Sequence, residues 1–378
     1  MTELAANGSS QARLGAVQGG WLWVKLPGEF FKLIYTLNPL QDPRWAEFLM
    51  RTPRASAFHS IGWLRALVQT YNYSPVVFTT TPPDHPLDNG TVFAVVKSWL
   101  IRPRLVSLPF SDHVDPLMSL ENGRVELLTE LSAEQRAGRW KKIELRPPAV
   151  ESQLHSLPFC DGESFVLQSV NLGPDLDAIF SRFHRDSIRR KIRKAERSNV
   201  SQEVGRSDRL LQQFFTLHIM TRRRQSLPPP PISWFRNILA CLGESAKIRV
   251  ASKDGTPIAA IFTLRFKETA VYKYGCTNRV FHNLGAMPFL LWKAIEDEHR
   301  SGAKVFDLGR SDLWNSGLIR FKQKLGAELT ALTYKVFPAD RYAGAAKDWR
   351  LTWAKKLFRL LPEKAFVAAG ARIYPHIG

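Results

Sequence analysis

The stretch "AKIRVASKDGTPIAAIFTLRFKETAVYKYGC", Ala246 to Cys276, decides the fold. Its β-branched and aromatic runs predict three strands, with Asp254-Gly255 as a tight turn and a looser second turn. "TNRVFHNLGAMPFLLWKAIEDEHRSGAKVFDLG", Thr277 to Gly309, follows directly. Gly285 and Ala286 open a turn without bulky side chains, Pro288 suits the first helical position, and Gly302 closes the helix before the strand in "KVFDLG". The whole therefore reads as an antiparallel meander, a helix and a further strand. Free N–H groups at such a helix start can hold a phosphate, although a plain β-α crossover has the same pattern. No GxxxxGK[ST] or GxGxxG loop accompanies it.

The same order appears upstream. "WAEFL" and "FHSIGWLRALVQTY" read as amphipathic helices, "PVVFTT", "TVFAVVKSWL" and "RLVSLPF" as strands, "ELSAEQRAGRW" as a helix and "KKIELRPP" as a strand. Two copies imply a duplicated α/β module. The expected division is a disordered start at 1–20, a first domain at 21–165, a second at 166–345 and a basic amphipathic tail at 346–378. "DLDAIFSRFHRDSIRRKIRKAERSNV" between the halves reads as two helices, the second capped by Asp186 or Ser187. "QSLPPPP", Gln225 to Pro231, reads as an ordered extended loop.

The 378 residues, 44% of them hydrophobic, suffice for two cored domains. A net charge of +19 points to anionic partners: nucleic acid, phosphorylated carriers or an anionic membrane surface. Cys160, Cys241 and Cys276 lie far apart, which argues against a disulfide framework or a zinc site and for a reducing cytosol. The apolar segment "WLWVKLPGEFFKLIYTL" is interrupted by Lys25, Pro27, Glu29 and Lys32, wrong for a signal sequence and too short to span a bilayer.

Two basic clusters stand out. Arg189, Arg190, Lys191, Arg193, Lys194 and Arg197 cover the arc opposite Ile188, Ile192 and Ala195, either as a solvated face or as a phosphate or RNA contact. "TRRRQ", Thr221 to Gln225, carries the same two readings. In "PFSDHVDP", Asp112, His113 and Asp115 suggest turn chemistry more than a metal site, with one carboxylate placed to take a proton. The tail places Trp349, Trp353, Leu357 and Leu360 on one face, for docking on the second domain or for peripheral contact with the inner face of the membrane. In "GLIRFKQKLGAE", Gly317 to Glu328, a helix carries Leu318, Ile319, Phe321 and Leu325 on an apolar stripe. Arg320 and Lys324 fall on the solvated side, but Lys322 falls inside the stripe. Either its stem packs and its ammonium snorkels to water, or the stripe faces a cleft where a desolvated ammonium stabilises developing negative charge.

"DPRWAEFL", "FHSIGWLRALVQTYNYSPV", "LVSLPFSDHVDPL", "IRRKIRKAERSNV", "VYKYGCTNRVFHNLGAMPFLLWKAI", "FDLGRSD" and "GLIRFKQKLGAE" occur in this order. The chain thereby resembles the Fem-type transferases, both FemX-like peptidyltransferases and CelD-like acetyltransferases, over about residues 35–340. The resemblance implies tandem GNAT-like domains of α/β class, each a mixed, largely antiparallel sheet flanked by helices. It implies acyl or aminoacyl transfer to an amine of a cell-envelope or polysaccharide precursor, in the cytoplasm, from acyl-CoA or aminoacyl-tRNA as co-substrate with no tightly bound cofactor. Expected partners are a phosphorylated glycan or peptidoglycan-type precursor, tRNA, and a membrane through the tail. By the same resemblance Phe321 and Lys322 lie at the acyl-transfer site, Asp112 matches an acidic position considered as a base, and Arg189, Arg190 and Arg193 border an acceptor cleft. Within the shared motifs Tyr274, Asn283, Gly285 and Arg310 are further candidate substrate contacts. A non-catalytic protein binding RNA or an anionic membrane is the alternative.

Overall fold

A computed structural model of the chain describes residues 34–98, 101–118, 123–148, 159–338, 358 and 360–377. The expected disordered start, most of the "WLWVK" segment, and Trp349 and Trp353 of the tail lie outside these residues. The first half contributes strands β1 (Tyr35–Leu37), β2 (Ser74–Thr79), β3 (Thr91–Ser98), β4 (Ile101–Val106) and β5 (Lys142–Leu145). The second contributes β7 (Ser201–Gly205), β8 (Ala246–Lys253), β9 (Thr256–Phe266), β10 (Thr269–Thr277) and β11 (Val305–Asp312). Two long strands, β6 (Cys160–Asn171) and β12 (Glu328–Phe337), run antiparallel between them. The result is one twelve-stranded sheet in the order β1-β2-β3-β4-β5-β12-β6-β11-β10-β9-β8-β7.

Each half repeats one plan: an antiparallel meander whose last strand pairs in parallel with the strand after a helix, β4 with β5 and β10 with β11. The centre is exchanged. β6 leaves the first half and pairs with β11, while β12, the last strand, returns to pair with β5. A boundary drawn between residues 165 and 166 passes through β6.

The strands alternate as a two-faced sheet requires. On one face α1 (Pro43–Arg51), α2 (Ile61–Tyr71), α6 (Asp208–Arg224) and α7 (Ile232–Leu242) share a single core that spans both halves, with Trp63 and Trp234 edge to face at 5.1 Å. On the other face α3 (Val125–Arg136) covers the first half. There α4 (Leu176–Arg182), α5 (Arg190–Arg197) and α8 (Ala286–Arg300) cover the second. The sequence analysis marks the meander strands and most helices but no strand at β1, β6, β7 or β12. β6 carries Asp161, Gly162, Glu163 and Ser164 at its start, which blurs its alternation. β12 begins at Glu328, the last residue of the stretch read as a helix. The helix α9 covers only Ser316–Gln323, because Gly326 turns left-handed (φ +71°) and ends it.

The "TRRRQ" cluster is structural. Arg222 donates to Pro228 O and to Tyr374 Oη, Arg223 to Leu361 O, and Arg224 to Thr277 O. These bonds tie the proline loop and the helix α10 (Glu363–Ile377) to α6. Gly370 of α10 lies so close to Pro229 O that a Cβ would sit 1.9 Å from it, and Phe366 is fully buried below the Arg223 guanidinium. The described part of the tail thus docks on the shared core. Phe366→Ala is expected to lower unfolding stability by about 3–5 kcal/mol and to expose α10 to limited proteolysis.

Candidate active site

Two helices bring cations together. Before α5 a π-type turn, Arg185–Arg189, is capped by His184, whose Nδ1 accepts from Ser187 N, in place of the expected Asp186 or Ser187. Ile188, Ile192 and Ala195 are buried in the core, so the charges of α5 turn outward. Opposite stands α9, capped by Asn315. The groove between them has a volume of about 430 Å³. Asp186, Ser187, Arg190 and Lys191 form one wall; Gly317, Arg320, Phe321 and Lys324 form the other. Arg320 and Lys324, expected on a merely solvated face, therefore share a concavity with the cations of α5. Four cations meet one carboxylate there, an arrangement that an anion relieves.

A second recess of about 200 Å³ adjoins this groove and shares Lys191 and Phe321 with it. Its floor is the start of α8, with Asn278, His282, Gly285 and Met287 in its walls. Gly285 caps α8 in a left-handed conformation (φ +76°), and a Cβ there would lie 2.4 Å from Lys191 O. The smallness of this residue serves the close crossing of α5 over α8 as well as any ligand. Pro288 occupies the third helical position, not the first, no side chain caps the helix, and its first residues line the recess.

Lys322 neither snorkels nor lines the groove. It is the one buried residue of α9, 3% exposed, while Phe321 beside it lines both recesses. Its ammonium donates to the carbonyls of Gly309 (2.9 Å) and Arg310 (3.1 Å). These sit where β11 slips register against β6 between Asp307 and Arg310, so the lysine binds α9 to the bulge. Burial pulls its pKa down to about 8, against the opposing pull of Asp112 and Asp307.

The loop after β4 fills the opening between β10 and β11. Asp112 accepts from Lys273 of β10 at 2.9 Å, and His113 Nε2 bonds Asp307 of β11 at 2.9 Å. Burial raises the proton affinity of Asp112, but the Lys273 and Arg310 charges outweigh it and hold its pKa below the usual carboxylate value. A general base needs the opposite, and Asp112 lines neither recess.

The remaining candidates divide. Arg190 and Gly285 line the recesses; Arg193 and Asn283 are exposed outside them, and Arg189 is half-buried with an unpartnered Nε. Tyr274, expected to touch substrate, sits in the shared aromatic core and accepts from Trp234 Nε1 at 2.9 Å. Arg310 stacks over Phe165 at 4.0 Å and donates to Tyr334 Oη at 2.7 Å, leaving it outside both recesses. Asn278 and His282 escaped the sequence reading. Their only signal is position in the loop after β10. Among the described residues no group of three His, Cys, Asp or Glu side chains is arranged for a metal, and no helix is long and apolar enough to cross a membrane.

The His113–Asp307 pair has a pH signature. Burial lowers the pKa of His113, but the bond to Asp307 and its charge raise it above the ordinary histidine value. Its stabilisation is then complete below about pH 6.5 and is lost as pH rises through the folded-state value. His113→Gln should remove this loss, seen as a flatter dependence of the urea midpoint between neutral and mildly alkaline pH.

A family model described as an acetyltransferase (GNAT) domain matches residues 182–323. No curated protein matches the chain. Among solved structures, FemX aligns with a TM-score of 0.58 at 15% identity, over 76% of this chain and 94% of its own. A tandem GNAT protein from the clavulanic acid biosynthesis pathway aligns at 0.53 and 12%, over 80% and 97%. The C-terminal domain of a putative lysylphosphatidylglycerol synthetase from Agrobacterium fabrum aligns at 0.52 and 16%, over 83% and 95%. At such identities the likeness is one of fold. Residues 182–323, which hold α5, α8 and α9 and hence most of the basic groove, match the model of a GNAT acetyltransferase domain, and the chain shares its fold with FemX and a tandem GNAT protein.

Proposed function

We propose that this acyltransferase moves an acyl group from acyl-CoA to an amine of a phosphorylated cell-envelope or polysaccharide precursor. The observation that carries this reading is the groove in which Arg190 and Lys191 of α5 face Arg320 and Lys324 of α9, beside the uncapped start of α8. Backbone N–H groups at a helix start with Lys191 and Asn278 alongside suit a diphosphate, and the larger cationic groove suits a second phosphorylated ligand. Phe321, common to both recesses, marks where the two would meet.

In this reading the acceptor amine attacks the thioester carbonyl directly. The tetrahedral adduct collapses to an amide and expels the CoA thiolate, while the amine proton passes to His282 or to water. Lys322 is a positioning residue. It holds the β11 carbonyls and so fixes α9, which carries Phe321 toward the groove, and its charge adds to the positive potential there.

Three experiments test this. Lys322→Met should lower kcat/KM by ~10²-fold or more in a folded protein and abolish the decline of activity above about pH 8 that follows loss of the ammonium proton; unchanged turnover removes it from the mechanism. Arg320→Glu with Lys324→Glu should raise KM for the phosphorylated acceptor by ~10–100-fold with a smaller change in kcat. Titration with acetyl-CoA and with charged and uncharged tRNA identifies the donor. A preference for charged tRNA replaces acyl-CoA with aminoacyl-tRNA, and salt-dependent RNA binding without transfer from either donor supports a binding protein instead.

A further inference from the structure

The parallel strands β10 and β11 end at the same edge of the sheet, and the loops that leave them carry unsheltered apolar side chains. Val280, in the loop after β10, is 81% exposed; Leu313 and Trp314, in the loop after β11, are 56% and 82% exposed. Single exposed apolar residues need no explanation, but three on adjacent loops at one edge do. They flank the catalytic recesses: Asn278 and His282, beside Val280, line the α8 recess, and Gly317, just beyond Trp314, lines the basic groove. Exposed cations lie close by: Arg279 adjoins Val280 in the chain, and Arg190 and Arg320 line the groove together with Gly317. Arg190, Arg193, Arg279 and Arg320 form no ion pair among the described residues.

We propose that this edge docks on an anionic lipid bilayer, with Val280, Leu313 and Trp314 entering the headgroup boundary and the neighbouring arginines meeting lipid phosphates. An amphipathic indole and two aliphatic side chains at an edge that also carries exposed arginines match an interfacial membrane contact. Valine and leucine have no ring on which a nucleic-acid base could stack, which favours lipid over RNA. The docking places the groove mouth against the membrane, so the acceptor phosphate is lipid-borne. Only that last point rests on the acyltransferase reading. This contact differs from the one expected of the tail, whose described helix α10 is engaged by the core.

The test is co-sedimentation of the full chain with vesicles of phosphatidylcholine alone and of phosphatidylcholine with phosphatidylglycerol, for wild type and for Val280→Ser/Leu313→Ser/Trp314→Ser. Wild type should bind the anionic vesicles only. The triple variant should bind them ~10-fold or more weakly while retaining acetyl-CoA binding. Equal binding by the two proteins assigns the contact to charge alone or to the tail and overturns the proposal. Failure of wild type to bind anionic vesicles overturns it as well, as does tRNA binding that is lost in the triple variant when vesicle binding is absent. Insertion-dependent vesicle binding in a protein that transfers no acyl group keeps this surface and removes the acyltransferase reading. Transfer to a soluble acceptor without vesicle binding does the reverse.

Discussion

Two neighbouring residues of the first half hold open the second. The parallel pairing of β10 and β11 runs from Thr269/Val305 to Val271/Asp307, after which the strands part. Asp112 and His113 enter the gap from the loop after β4, one bound to Lys273 of β10 and the other to Asp307 of β11. Buried ion pairs contribute little net stability, because desolvation offsets their attraction, but they discriminate sharply against wrong arrangements. Here they set how far two strands diverge. The divergence fixes the bulge in β11, the bulge presents two carbonyls to Lys322, and Lys322 orients α9 against α5. The α9 wall of the groove depends on that order.

The strand exchange explains why a loop from one half can act on the other. Because β6 and β12 cross over, the halves share one hydrogen-bonded sheet and, on one face, one core. Relative motion of the halves would break ladder bonds at the centre of the sheet, so the ion pairs of the loop act within a stiff frame. The repeat is nevertheless unequal in use. The first half supplies the wedge, the second supplies the helices that line the groove, and both hold α10.

Lys322 shows why the duplication needs polar groups in its interior. A bulge leaves backbone carbonyls without ladder partners, and an unmet buried carbonyl is costly. A lysine on the inward stripe of a short helix meets two of them and adds a positive charge near the site. Its depressed proton affinity is the consequence of that burial.

Much was legible in one dimension because it depends on neighbours in the chain. The meander from Ala246 to Cys276, the turn at Gly285, the charged arc of α5 and the anomaly of Lys322 in an apolar stripe all follow from local periodicity and backbone sterics, and the duplication follows from their repetition. Which cations face one another is a different kind of fact. Arg190 and Arg320, more than a hundred positions apart in the chain, meet only because α5 crosses α8 at Gly285 and α9 is pinned to β11. Partners on other elements, 40 and 24 positions away, likewise hid the fates of Tyr274 and Arg310, which read as site residues in their motifs but are claimed by Trp234 and Tyr334. Periodicity says which side of an element is buried; only packing says what it is buried against, and that choice is made by long-range contacts that no local pattern encodes.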